Sequence, residues 1–107
     1  MASEINLDFE WDEAKADANF KKHKISFEQA KTVFTDPFSI TVDDPKHSVD
    51  ERRFVDIGAA ANGKVLVVSY TQRGRKIRLI SCRKSTGAER KIYEERENFK
   101  KAKSRNG

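Results

Sequence analysis

Along the chain the apolar positions change their spacing twice, from about 3.6 residues to two and back again, which predicts an α+β domain. After a short apolar patch of Leu7, Phe9 and Trp11, Asp12 stands where it can cap a helix running to about His23, with Ala14, Ala18 and Phe20 turned inward. Ser26 followed by Gln29 makes a capping box for a second helix, whose inward stripe is Phe27, Ala30, Val33 and Phe34. Asp36-Pro37 ends that helix, because the residue before a proline avoids the α region. Lys24, between the two helices, sits where left-handed backbone suits the turn, at some strain relative to glycine.

Residues 38–43 alternate and predict a first, edge strand, followed by the polar loop Asp44-Pro45-Lys46-His47-Ser48. Three β-rich runs come next: Arg52 to Gly58, Val65 to Thr71 and Lys76 to Arg83. Taking Asn62-Gly63 and Arg73-Gly74 as two-residue turns pairs Ile57 with Val68, Val55 with Tyr70, and Tyr70 with Ile77. One face of the meander then carries Val55, Ile57, Leu66, Val68, Tyr70, Ile77 and Leu79. The other carries Arg52, Phe54, Asp56, Ser69, Thr71, Lys76 and Arg78. A last helix opens at the capping box Thr86 and Glu89, with Ala88, Ile92 and Phe99 on its apolar side. Beyond Phe99 the basic run to Arg105 has no core to join and is expected as a frayed, solvated tail.

At 107 residues, of which Ile, Leu, Val and Phe make up 24, the chain can build one small core, so residues 1–107 are expected to form a single domain. The net charge of +5 is unevenly placed. Met1 to Gln72 holds nine Lys/Arg against thirteen Asp/Glu, whereas Arg73 to Gly107 holds thirteen against four. A basic end of this kind is offered to a polyanion, nucleic acid first. No apolar run exceeds five residues and no basic-then-apolar leader opens the chain, so neither a membrane span nor a signal peptide is expected. The single Cys82 excludes a disulfide framework and a cysteine-based zinc site, and fits a reducing cytoplasm. With only His23 and His47, a multi-histidine metal site is not expected, and no cofactor is implied.

Four stretches together resemble the BrnT family of toxins of bacterial type II toxin–antitoxin systems. They are Phe9-Glu10-Trp11-Asp12 with Lys15 and Asn19; Lys22-His23, Ser26-Phe27-Glu28 and Val33-Phe34 to Asp36-Pro37; His47-Ser48 with Glu51 and Arg53 leading to Ile57-Gly58; and Tyr70-Thr71 with Arg73, Ile77-Arg78 and Ile80 to Arg83, then Glu89-Arg90 and Tyr93. Order and spacing hold over residues 9–94. The resemblance implies a compact RelE-like fold, a metal-independent endoribonuclease that cuts mRNA and so stops translation and growth, and silencing by a BrnA-like ribbon-helix-helix antitoxin. Operator DNA would then be bound only through that antitoxin. Three positions depart from the family pattern: Lys24 replaces a usual Gly, Cys82 a usual Ala, and Gly87-Ala88 stands where basic residues are frequent.

The residues can support that chemistry. RNA carries its own nucleophile, the 2′-hydroxyl, so a protein need only accept its proton, stabilise charge on phosphorus and protonate the leaving 5′-oxygen. His47 and Glu51 are the proton-transfer candidates, the Glu only if its pKa is raised: Glu51 or His47 as the base, and His47 as the preferred acid. Arg53 and Arg83 suit a phosphate clamp, because guanidinium grips phosphate with two prongs and stays charged. Arg52, Lys76 and Arg78, around an exposed Phe54, offer a basic platform on which a single strand of RNA can lie, with Arg73 a further RNA-binding candidate. Arg83 falls in this register about 25 Å from Glu51 and Arg53, too far for one phosphate. Phe9 and Trp11 are candidate anchors for a partner, Trp11 alternatively packing under the first helix. The competing function is a non-catalytic module whose basic end grips RNA or an acidic antitoxin and cleaves nothing.

Overall fold

Asp12 turns the chain into its first helix: its Oδ1 accepts hydrogen bonds from the N–H groups of Ala14 and Lys15, at 2.8 and 3.1 Å. In this computed structural model, which describes residues 8–106 and side chains as far as Lys103, that helix is α1, Glu13–His23. Leu7 of the apolar patch lies outside the described residues. Lys24 ends α1 in left-handed backbone (φ 62°), its N–H donating to the carbonyl of Phe20 at 2.8 Å. Ser26 caps α2, Phe27–Lys31, which tightens into a 3₁₀ turn over Thr32–Thr35 before Asp36-Pro37. Phe27, Ala30 and Val33 are buried and Phe34 half-buried, as their spacing predicts.

The strands are β1 (Asp8–Glu10), β2 (Ile40–Asp43), β3 (Arg53–Ala59), β4 (Val65–Arg73) and β5 (Lys76–Lys84), followed by α3 (Gly87–Asn106). They form one sheet in the order β1-β5-β4-β3-β2. β2 to β5 are the expected antiparallel meander. β1 adds a parallel edge, pairing Asp8, Phe9 and Glu10 with Lys76, Ile77 and Arg78. Helices α1 and α2 pack on β5, and the 3₁₀ turn packs on β3, closing the inner face. No helix among the described residues is long and apolar enough to cross a membrane.

Both turns differ from the two-residue readings, with opposite consequences. At the first, Ala60 accepts from Gly63 N–H and donates to Lys64, so the loop is Ala61-Asn62-Gly63, with Gly63 alone at positive φ (88°). The extra residue moves the register by one, pairing Phe54 with Tyr70 and Asp56 with Val68. Phe54, Asp56 and Gly58 therefore face inward with Leu66, Val68 and Tyr70. Val55 and Ile57 go to the outer face. At the second, the turn is Gly74-Arg75, pairing Arg73 with Lys76 and Tyr70 with Leu79. That shift of two preserves parity, so Ile77 and Leu79 stay inside, as expected. Ile80 is a bulge between the Tyr70–Leu79 and Ser69–Ser81 pairs, beyond which Cys82 returns to the core.

The helices also correct their expected faces. On α1, Ala16 and Asn19 turn inward while Ala14, Ala18 and Phe20 are exposed, because the helix is keyed to β5 through the Asn19 amide. On α3, Ala88, Ile92 and Phe99 are exposed and Tyr93 is buried, its phenol donating to Asp36 Oδ2 at 2.7 Å. Asp36 Oδ2 also accepts from Ala59 N–H, so one carboxylate ties α3 to β3. The run after Phe99 continues α3 to Asn106 rather than fraying, with Lys101 to Lys103 exposed. Phe9 and Trp11 are half-buried against the core, Trp11 meeting Phe27 edge-on at 5.7 Å, so both are at least partly spent on packing.

Candidate active site

The loop between β2 and β3 is short on regular structure and dense in ties. Pro45–His47 forms a single 3₁₀ turn that leaves His47 over Asp44. Asp44 N–H donates to the carbonyl of Arg53 at 2.9 Å, Ser48 Oγ donates to the carbonyl of Asp44 at 2.6 Å, and Arg53 N–H donates to Ser48 Oγ at 2.9 Å. The loop is thus sewn to the first residue of β3. A depression of about 260 Å³ opens on it, lined by His47, Val49, Asp50, Glu51 and Arg53. Three of the four expected catalytic residues meet there.

His47 Nδ1 lies 2.9 Å from Asp44 Oδ2, with the imidazole itself largely exposed. A carboxylate only accepts, so this contact assigns a proton to Nδ1; in the neutral ring Nε2 is then the unprotonated nitrogen. Glu51 is held by Arg73 in a two-pronged pair, with Oε1–Nη2 at 3.1 Å and Oε2–Nε at 3.2 Å. Hydrogen bonding to Arg73 is the largest influence on Glu51 and keeps its pKa below the usual carboxylate value. The raised pKa under which Glu51 would carry protons near neutrality is therefore not met. Its carboxylate instead fixes Arg73, whose own pKa that bond raises. Among the described residues Arg53 has no carboxylate partner within 4.0 Å.

Arg73, Lys76 and Arg78 gather on the outer face around Glu10, which β1 carries there by its parallel pairing with Arg78. Glu10 lies 3.4 Å from Arg78 and 3.9 Å from both Arg73 and Lys76. Arg52 is separated from this group by the register. It points to the inner face, bonds Asp43 at 2.8 Å, and lies 5.2 Å above the Phe54 ring, which itself stacks on Tyr70. The expected platform around an exposed Phe54 is accordingly not formed, since the three-residue loop turns Phe54 into the margin of the core.

Arg83 stands apart as well. It is level with Val67, four residues along β4 from the Thr71 that Arg53 faces, and two strands over. Arg53 and Arg83 share the outer face at about 16 Å rather than 25 Å, still beyond the reach of one phosphate. Its guanidinium is taken by Glu89 in a two-pronged pair at 2.8 and 2.9 Å. Glu89 also accepts from Thr86 N–H while Thr86 Oγ1 accepts from Glu89 N–H, completing the capping box of α3. The Arg83 pair holds the Glu89 carboxyl down at about 2.

Two residues of this region escape a reading of the sequence. Asp44 had a local signal, an acid three residues before His47 across an Asp-Pro turn. Glu10 stood in a stretch that carries the resemblance, but nothing local pointed to its partner Arg78, 68 residues away across a three-residue parallel ladder.

Residues 11–89 match the family model described as "Ribonuclease toxin, BrnT, of type II toxin-antitoxin system". Among solved structures, the 1.1 Å crystal structure of the Brucella abortus ribonuclease toxin BrnT superposes with a TM-score of 0.60 at 20% identity, covering 76% of this chain and 99% of that one. At that identity the likeness speaks for the fold. No curated protein matches the sequence.

Proposed function

The chain belongs to the family of BrnT ribonuclease toxins of type II toxin–antitoxin systems, and from that premise we propose that it cleaves single-stranded RNA at the His47–Arg53 depression without a metal ion. The observation that carries this reading is the company Arg53 keeps. Arg53, with no carboxylate within 4.0 Å among the described residues, lines the depression with His47, whose Nδ1 is engaged by Asp44, and faces Thr71, two residues from the Arg73 that Glu51 holds. Such a set binds a phosphate and takes up one proton.

In this reading Arg53 and Arg73 hold the scissile phosphate and offset the charge that builds on its oxygens. His47 Nε2 takes the 2′-hydroxyl proton as the 2′-oxygen bonds to phosphorus. The P–O5′ bond breaks, leaving a 2′,3′-cyclic phosphate and a 5′-oxygen that takes its proton from solvent at this open site. Lys76 and Arg78, steadied by Glu10, lie along the same face to carry neighbouring phosphates. The protein would act in the cytoplasm on mRNA, and a ribbon-helix-helix antitoxin encoded alongside would silence it.

Incubation of EDTA-treated protein with a labelled single-stranded RNA tests the reading. Cleavage with 2′,3′-cyclic phosphate ends, slowed about 100-fold in His47→Ala and in Arg53→Ala, is expected. Intact RNA that binds with a steep salt dependence, both alone and in a translation extract, would instead identify a non-catalytic binding module.

A further inference from the structure

We infer that Asp44 is the positioning residue of His47, setting which ring nitrogen faces the substrate; the inference rests on the reading of His47 as the proton acceptor. An acid and a histidine three residues apart on an exposed turn can be a surface pair worth little. Here, however, three ties bind that turn to the wall of the site. Asp44 N–H holds the Arg53 carbonyl, Ser48 Oγ holds the Asp44 carbonyl, and Arg53 N–H holds Ser48 Oγ. The backbone of Asp44 therefore cannot move without Arg53, and its Oδ2 sits 2.9 Å from His47 Nδ1.

The consequence is chemical. With Nδ1–H engaged by Asp44, the ring turns its unprotonated Nε2 outward, the form that can take the 2′-hydroxyl proton. As that proton arrives, the Asp44 carboxylate lies against the new imidazolium. Without Asp44, the neutral ring is free to carry its proton on Nε2, where it blocks the transfer. Asp44 itself touches no reacting atom. The other charged groups lining the depression, Asp50, Glu51 and Arg53, have no hydrogen bond to the ring.

Two measurements test this separately from the cleavage reaction. The first is ¹⁵N NMR of the histidine rings in the wild-type protein, at a pH alkaline enough to keep them neutral, with His47→Ala to tell His47 from His23. A His47 ring protonated on Nδ1, moving to mixed or Nε2 protonation in Asp44→Ala, is expected. An Nε2-protonated ring in the wild type, or one unchanged in Asp44→Ala, overturns the inference whether or not RNA is cut. The second is a double-mutant cycle on RNA cleavage. Asp44→Ala should lower kcat about tenfold with KM unchanged, and should cost nothing further in a His47→Ala background. An equal fall in both backgrounds would make Asp44 merely structural. A wild type that sets the Nδ1 form through Asp44 and cuts no RNA would sink the ribonuclease reading and leave the Asp44–His47 relation standing.

Discussion

The side-chain amide of Asn19 pairs with the backbone of Cys82 as a missing strand would. Its Oδ1 accepts from Cys82 N–H at 3.0 Å, and its Nδ2 donates to the Cys82 carbonyl at 2.9 Å and to the Ile25 carbonyl at 3.1 Å. The pairing has a reason in the topology. β1 covers the open edge of β5 only from Lys76 to Arg78, so the outward backbone groups of Cys82 have no strand beside them. Asn19, buried on α1, supplies both partners and fixes how the helix sits on the sheet.

Replacing Asn19 by Ala would leave a buried N–H and two buried carbonyls without partners. Each orphaned group costs about 1–3 kcal/mol, and relaxation recovers some of it, so a loss of about 3 kcal/mol is expected. Urea unfolding followed by far-UV circular dichroism measures it. A loss below about 1 kcal/mol would mean that water or a shift of α1 replaces the amide.

The legible parts of this chain were those decided within a few residues. The caps at Asp12, Ser26 and Thr86, the left-handed Lys24 and the stop at Asp36-Pro37 are all local chemistry, and each appears where its residues place it. The register was not local in this sense. Asn62-Gly63 marks a hairpin but is compatible with a loop of two or of three residues, and that one residue decides whether Phe54 or Val55 faces the core. His47, Glu51 and Arg53 stood out by their side-chain chemistry within one loop, whereas the bond of Arg73 to Glu51 depends on the β3–β4 pairing. Asp44 was hidden in plain view beside Pro45, and Glu10 depended on a parallel pairing that no pattern of three residues announces.

Glu89 and Arg83 give the fold an acid-sensitive joint. The folded Glu89 pKa, about 2, is below its unfolded value, so the stabilisation is fully present above the ordinary carboxylate pKa. It is lost as pH falls from about 4.5 toward 2. Because both side chains are partly exposed, solvent screening leaves about 1 kcal/mol of it. Glu89→Gln should therefore lower stability at neutral pH by about that amount and flatten the acid limb of the stability curve. Arg83→Ala should do the same while leaving RNA cleavage within twofold. A large fall in kcat on Arg83→Ala, with the fold intact, would return Arg83 to the active site.

Asp56 works in the opposite direction. Its carboxyl is buried on the inner face, where Oδ1 accepts from Thr41 Oγ1 at 2.7 Å and from the Tyr70 phenol at 2.9 Å. Burial raises its pKa despite those two bonds, and the same burial, with Asp56 beside it, raises that of Tyr70. The folded state thus holds the Asp56 proton more tightly than the unfolded chain does. That contribution is complete below the unfolded carboxylate pKa and disappears as pH rises through the raised value. Asp56→Asn keeps an acceptor for both hydroxyls and removes the buried charge. It should raise neutral-pH stability by about 1 kcal/mol, and denaturant midpoints measured from pH 4 to 8 should lose their downward slope. A variant less stable than wild type across that range would show that the ionised carboxylate is wanted there.

Arg53 and Arg52 are neighbours in sequence and on opposite faces of the sheet, which makes them a matched pair for the site. Arg53 lines the depression with His47, whereas Arg52 bonds Asp43 over the Phe54 ring. If the phosphate is held at the depression, Arg53→Ala removes a charge that acts most strongly on the pentavalent transition state. A fall in kcat of about 100-fold is then expected, larger than the rise in KM. The slope of binding against salt should decrease by about one phosphate contact. Arg52→Ala should change the salt slope far less and kcat hardly at all. The opposite ranking, with Arg52 dominant, would place the RNA on the inner-face edge beside Phe54 and refute the outer-face site.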